Sequence, residues 1–280
     1  MIKVRLYGGL GNQIFQLGIS LYIAKVLKKK VTVCDFTDGY QSRRKNQLSE
    51  MFNLEKVNVS FSDRKDFLHR YRVAKLFNVN CTKLTTINDK NIFHYLNCGF
   101  LNIESDVILL DGYFQSCFNQ DVFDFVADVL SGVMKAKICE DSNNKGSEDS
   151  FATVHIRGGD FLSSKEHFSL SKEYYEFGIL ALSEYVKNFI VVTDDKKYAT
   201  TIIEALILPE KIKIEMSTGI SALSDFSLIM SSKYSILSNS TFSIWAGALS
   251  KKNMVLAPTR LSINIKRNFK FENEMFWSEK

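Results

Sequence analysis

The feature that most constrains this chain is a strand, a glycine turn, a helix and a second strand, read in succession within its first 35 residues. Residues 2–7 (IKVRLY) alternate apolar and polar side chains, the pattern of a β-strand. GGLGNQ at 8–13 follows, and over residues 14–27 Phe15, Ile19, Tyr22, Ile23 and Val26 recur at helical spacing. Lys28, Lys29 and Lys30 close that helix, where cations oppose the negative end of its dipole. Residues 31–34 (VTVC) then predict a second strand ending at Asp35. This is a βαβ unit, which builds a parallel sheet flanked by helices.

The pattern restarts after residue 150. Strands are expected at 151–156, 189–193, 211–215, 234–237 and 254–257, with helices at 171–186, 196–207, 221–232 and 241–249 between them. Between the two stretches, residues 60–95 are expected to hold helices rich in Arg, Lys and Phe. Residues 106–110 (DVILL) predict a buried strand and 122–134 an amphipathic helix. Residues 140–150 (EDSNNKGSEDS) are polar, acidic and Gly/Ser/Asn-rich, as an exposed linker is. The expected fold class is therefore α/β, with two doubly wound Rossmann-like domains over 1–140 and 150–280. The last residues are expected to pack back on the first domain. Two such domains facing each other create a cleft, where ligands bind.

A chain of 280 residues suits two domains of this size, and 45% hydrophobic with 24% charged residues excludes disorder. The net charge of +5, from 36 basic and 31 acidic residues, falls short of nucleic-acid-binding basicity. Cys34, Cys81, Cys98, Cys117 and Cys139 are widely spaced and odd in number, which fits reduced thiols rather than a disulfide framework or a zinc site. The opening MIKVRLYGGLGNQ has no secretory character, and no apolar run approaches the ~20 residues of a membrane span. A cytoplasmic protein is expected.

Three segments carry polar chemistry where a strand meets a helix. Glycines in GGLGNQ allow close backbone approach, and a helix N-terminus offers N–H groups to an anion. Their spacing is not GxGxxG, which disfavours a dinucleotide-dependent oxidoreductase. In VHIRGGDF at 154–161, alternation puts His155 and Arg157 on one face at the carboxyl end of a strand, where ligands of open α/β sheets collect. An arginine there forks onto a phosphate, and Asp160 is placed to hold it or to cap the next segment. A purely structural Arg–Asp pair is the competing reading. In SNSTFSIW at 238–245, Ser240 and Thr241 precede a helix, suited to a diphosphate or to simple capping. Asp194 and Asp195 end a buried strand at the same edge. Asp225 opens DFSLIM, where capping is the plain alternative to a base or ribose contact.

Taken in order, GGLGNQIFQ, GYFQS, HIRGGDF, VVTDD, DFSLIM and SNSTFSIW resemble the bacterial α-1,2-fucosyltransferase family, glycosyltransferase family 11, over residues 4 to 257. The resemblance implies the GT-B architecture, a GDP-fucose donor, inversion at the anomeric carbon, and no metal or other cofactor. It implies that Arg157 binds the β-phosphate and that His155 and Asp160 shape the nucleotide site. Asp225 would contact guanine, and Asp194 and Asp195 would lie by the nucleoside. Ser240 and Thr241 would hold the phosphates, while Gly9, Gly11 and Asn12 approach the donor from the first domain. The family pattern HxRRGDY reads HIRGGDF here, so Gly158 replaces a second arginine and Phe161 a tyrosine, and TFSIW carries Ile244 in place of the usual aromatic. Loss of that cation weakens support for the leaving diphosphate, or another group replaces it.

Donors preorganised around a departing diphosphate stabilise the transition state more than the ground state. No DxD triplet is present, in keeping with metal independence. Glu166, with His167 beside it, is the candidate base for the acceptor hydroxyl. The reading is a fucosyltransferase of an O-antigen repeat with a galactose-containing, lipid-linked acceptor and no nucleic-acid partner. Lys28, Lys29, Lys30 and Arg43–Lys45 would favour peripheral contact with the inner membrane. Transfer of another GDP-deoxysugar such as colitose, or GDP-sugar binding without catalysis, are the alternatives.

Overall fold

The computed structural model describes residues 1–37, 46–77, 84–100, 103–135 and 151–277. The chain forms two compact units, Met1–Lys135 and Ala136–Lys280. The composition break at 140–150, Cys81, Cys139 and Arg43–Lys45 lie outside the described residues; Cys34, Cys98 and Cys117 are free thiols.

The first unit runs β1 (Ile2–Leu6), α1 (Leu10–Leu27), β2 (Val31–Asp35), α2 (Leu48–Met51), β3 (Val59–Ser62), α3 (Arg64–Phe77), β4 (Leu84–Ile87), α4 (Ile92–Asn97), β5 (Val107–Leu110) and α5 (Gln120–Gly132). Its five strands are all parallel, in the order β3-β2-β1-β5-β4. Helix α1 is buried on most sides because it lies between this sheet and α5. Gly18 permits the close approach: a Cβ there would stand 2.6 Å from Val126 of α5. Phe15 meets Phe118 edge-on at 4.7 Å in the same layer. Lys28 ends α1 in the left-handed conformation and its N–H caps the Ala24 carbonyl.

Residues 60–95, expected to hold helices, also supply most of β3 and all of β4. Both are edge strands of four residues, and only Val59 in one and Ile87 in the other are buried. Without a buried run, neither stands out in the sequence.

The second unit runs β6 (Phe151–Ile156), α6 (Lys172–Leu182), β7 (Asn188–Thr193), α7 (Lys196–Glu204), β8 (Lys213–Met216), α8 (Ala222–Ser231), β9 (Tyr234–Ile236), α9 (Thr241–Ala248) and β10 (Met254–Leu256). A hairpin of β11 (Arg260–Ser262) and β12 (Ile265–Lys266) follows, then β13 (Glu274–Met275). The main sheet is parallel, in the order β8-β7-β6-β9-β10-β13. Counted from β6, this is the doubly wound order 3-2-1-4-5-6. Tyr174, Tyr175, Phe189, Val191, Ile236 and Leu256 build its core, each large side chain contributing roughly 1.5–3 kcal/mol by leaving water.

The tail, expected to reach back to the first domain, contributes β13 to this second sheet. It is fastened by the buried Arg267, whose guanidinium forks onto Glu274 and whose Nε donates to the Pro258 carbonyl at 2.9 Å. β11, β12 and β13, two or three residues each, are absent from the sequence reading.

Candidate functional site

In the second sheet the connections reverse direction between β6 and β9, and a doubly wound sheet opens its ligand crevice at that point, beyond the carboxyl ends of the two strands. The segments leaving these strands are HIRGGDF and SNSTFSIW. They are tied together at their roots: His155 Nδ1 lies 2.8 Å from Ser238 Oγ. His155 is fully buried, and burial followed by the nearby Arg157 charge pushes its pKa down to about 3. It is therefore neutral at working pH and serves as a tie, not as an acid or base.

Ser238 also accepts from the Ser240 N–H at 3.2 Å, and Ser243 Oγ lies 3.2 Å from the Ser238 carbonyl and 3.1 Å from that of Ser240. The Asn239 amide donates to the Phe168 carbonyl at 2.8 Å. Ser240 is the N-cap of α9 but makes no side-chain capping bond, and Thr241 opens the helix half-buried. Capping is thus not what occupies the Ser240 hydroxyl. Ser238, Asn239 and Ser243 shape this turn and were not singled out from sequence. The signal was the run of hydroxyl residues itself, which does not say which one folds inward.

Arg157 follows β6 and is held from two sides. One guanidinium nitrogen bonds Asp160 at 2.6 Å and another bonds Asp194 at 2.9 Å. Its plane sits 5.1 Å from the Phe161 ring centre, within cation–π range. The side chain is 13% exposed, and its buried Nε has no hydrogen-bond partner among the described residues. A buried unpaired donor on a cation is costly unless a ligand completes it.

The two glycines after Arg157 have a steric reason. A Cβ on Gly158 would fall 2.7 Å from the Asp195 Cβ and 3.0 Å from the Tyr198 ring. Gly159 has φ +46°, and a Cβ on it would meet the Asp194 carboxylate at 2.6 Å. Asp194 accepts the Gly158 N–H at 3.0 Å, and Asp195 caps α7 by accepting the Tyr198 N–H at 3.0 Å. Both aspartates, expected beside the nucleoside, thus brace the Arg157 turn.

Asp225 does not open its helix. Helix α8 begins at Ala222, capped reciprocally by Ser221 and Ser224, and Asp225 accepts from Ser217 Oγ at 3.2 Å. Its neighbour Phe226 meets Phe242 edge-on at 5.3 Å, and Phe242 lies 5.8 Å from the His155 ring. This aromatic chain links α8 to the root of the site.

The loop after the Arg157 turn carries Glu166 exposed to solvent. Its main chain is pinned, with N–H to Ser164 Oγ at 3.1 Å and carbonyl accepting from Ile263 N–H at 3.0 Å. His167 lies flat on Phe161, with ring centres 4.0 Å apart and planes at 5°. Burial first, and Arg157 less strongly, lower its pKa, while Asp160 and Glu166 pull the other way.

In the first sheet β1 and β5 are parallel neighbours, and GGLGNQ and GYFQS leave these two strands. Helix α1 starts at Leu10, four residues earlier than the apolar periodicity indicates, because Gly9 caps it and GNQ forms its first turn. Gly8, at φ +79°, makes the turn possible. Gly11 is buried and Asn12 half-buried, its Oδ1 accepting from the Gln115 amide at 2.9 Å. Asp89 receives the N–H groups of Tyr113 and Phe114 at 2.9 and 2.6 Å, and the Tyr7 and Tyr113 rings stand 4.8 Å apart.

The model of glycosyl transferase family 11 matches residues 1–275. The chain belongs to this family. It is accordingly a glycosyltransferase, and its two parallel-sheet α/β units are of the GT-B type. It is 26% identical to the O-antigen biosynthesis glycosyltransferase WbnK of Escherichia coli, across 91% of this chain and 93% of that protein. Among solved structures it is similar to the NodZ α-1,6-fucosyltransferase soaked with GDP-fucose, at TM-score 0.59 and 16% identity over 89% of this chain and 92% of that one. NodZ is from Bradyrhizobium. It is also similar to POFUT1 in complex with GDP-fucose, at TM-score 0.57 and 12% identity over 91% and 97%. Among the described residues no helix is long and apolar enough to cross a membrane, and no three metal-binding side chains gather.

Proposed function

We propose that this glycosyltransferase is an inverting, metal-independent α-1,2-fucosyltransferase that moves L-fucose from GDP-fucose to a galactose residue of an O-antigen repeat. The observation that carries the reading is Arg157, poised where the second sheet opens its crevice, with one buried N–H unpaired among the described residues. That donor, the Ser240 hydroxyl and the first amides of α9 offer an anion the complement a diphosphate needs. The similar NodZ and POFUT1 structures were obtained with GDP-fucose, and WbnK is a glycosyltransferase of O-antigen biosynthesis, which supports the choice of donor and setting.

In the proposed reaction the galactose 2-hydroxyl oxygen attacks the anomeric carbon from the face opposite GDP. The bond from that carbon to the β-phosphate oxygen breaks as the new glycosidic bond forms, and the hydroxyl proton passes to Glu166. The electron pair leaves with GDP, where Arg157, Ser240 and Thr241 receive the charge. Gly9, Gly11, Asn12, His155, Asp160, Asp194, Asp195 and Asp225 keep donor-side roles, the last toward guanine and most of the others as braces. The first unit is assigned to the acceptor. Incubation with GDP-fucose and a β-galactoside, read by mass spectrometry and by linkage analysis of the product, tests all of this. Transfer that survives EDTA supports it; GDP binding without transfer, or transfer only from another GDP-deoxysugar, overturns the fucosyl reading.

Peripheral contact with the cytoplasmic face of the inner membrane belongs to the same proposal. Lys25, Lys28, Lys29 and Lys30 line one groove of the first unit, floored by Leu21, Val57, Phe125 and Val129, a surface suited to anionic headgroups. Cosedimentation with phosphatidylglycerol vesicles but not with phosphatidylcholine ones is expected, and equal recovery with both would refute it.

A further inference from the structure

The Arg157 turn is short of positive charge for a diphosphate. The guanidinium already carries two carboxylates, Asp160 at 2.6 Å and Asp194 at 2.9 Å, so the cluster is net negative before any ligand arrives. A second cation at position 158 has no room, because Asp195 and Tyr198 close that space. A dianion docking there needs charge from a group that is already close.

His167 is that group by position. It lies parallel to Phe161 at 4.0 Å, and the Arg157 guanidinium packs on the same ring at 5.1 Å. The charged groups that act on it are Arg157 at the end of β6, Asp160 in the following turn and Glu166 beside it. Its Nδ1 is buried without a hydrogen-bond partner among the described residues. Nδ1 is therefore an open protonation site.

Opposing influences act on this ring, and burial wins, holding its pKa below the ordinary value. Burial and the Arg157 charge disfavour an imidazolium, while Asp160 and Glu166 favour it. An anion on Arg157 offsets the guanidinium and adds negative charge of its own, so both changes act in the same direction. We infer that His167 is the proton-linked second cation of the donor site, taking up a proton as the diphosphate docks on Arg157 and releasing it when GDP leaves. It does not touch the reacting atoms; it adjusts the field around them. This rests on the donor reading above.

Calorimetry of the full chain with GDP, in buffers of different ionisation enthalpy near pH 7, measures the proton uptake directly. His167→Phe keeps a ring on Phe161 and removes the proton, and it also cancels the phosphate's own titration from the comparison. The expected result is a fractional proton taken up by the native chain beyond that of His167→Phe. The ratio of native to variant affinity should rise roughly three- to tenfold from pH 8 to pH 6. Equal uptake and a constant ratio, with GDP binding to both, would overturn the inference and leave the donor reading standing. No GDP heat from the native chain would sink both. Should His167→Phe not fold, His167→Gln carries the same comparison.

Discussion

His155 Nδ1 and Ser238 Oγ stand 2.8 Å apart, and this bond joins the two strands between which the second sheet reverses direction. It fixes the spacing of the segments that begin two residues later, at Arg157 and Ser240. A buried neutral imidazole at this place has a measurable signature. Its folded-state pKa, about 3, lies below the ordinary value near 6.5, so the unfolded chain binds the proton first as pH falls. Stability contributed by neutral His155 is present above pH ~6.5 and drains away toward pH 3. His155→Gln, which retains a partner for Ser238, should flatten the loss of urea midpoint between pH 7 and pH 4.5. An identical loss in both proteins would show that His155 is not the titrating group.

Restoring an arginine at position 158 should harm the protein. The space is closed by Asp195 and Tyr198, so Gly158→Arg forces the start of α7 or the Arg157 turn to move. Overpacking of this kind costs ~1–3 kcal/mol, a fall of several degrees in melting temperature, and donor transfer should drop with it. A stable and more active variant would mean that the turn has slack the packing does not suggest.

Glu166→Gln separates chemistry from binding. Its main chain is held by Ser164 and Ile263 while the carboxylate is exposed, so the substitution should leave the loop in place. Loss of a general base lowers kcat by about 10²–10⁴-fold with little change in GDP affinity. If kcat is unchanged, the base lies elsewhere.

The elements surrounding the site were legible where burial writes itself into the chain. FIVVT at 189–193 and the alternation around His155 mark strands whose ends hold polar motifs; five of the six motifs fall at strand ends, and DFSLIM lies within α8. What stayed hidden depends on contacts between distant residues. Nothing local distinguishes the inward Ser238 from the neighbouring hydroxyls, or shows that Gly158 is required by Asp195 rather than being a lost arginine. Capping, the plain alternative offered for Asp225, belongs to Ser221 and Ser224 instead. Edge strands β3 and β4 carry too few buried side chains to register.

Arg157 is the proposed anchor for a diphosphate, its buried Nε without a hydrogen-bond partner among the described residues. The most direct measurement is the GDP-induced rise in melting temperature for the native chain and for Arg157→Ala, since a ligand at 100 times its Kd adds ~2.7 kcal/mol to stability. The native chain should be stabilised by several degrees and the variant hardly at all. An Arg157→Ala protein that folds and responds to GDP like the native chain would contradict the account.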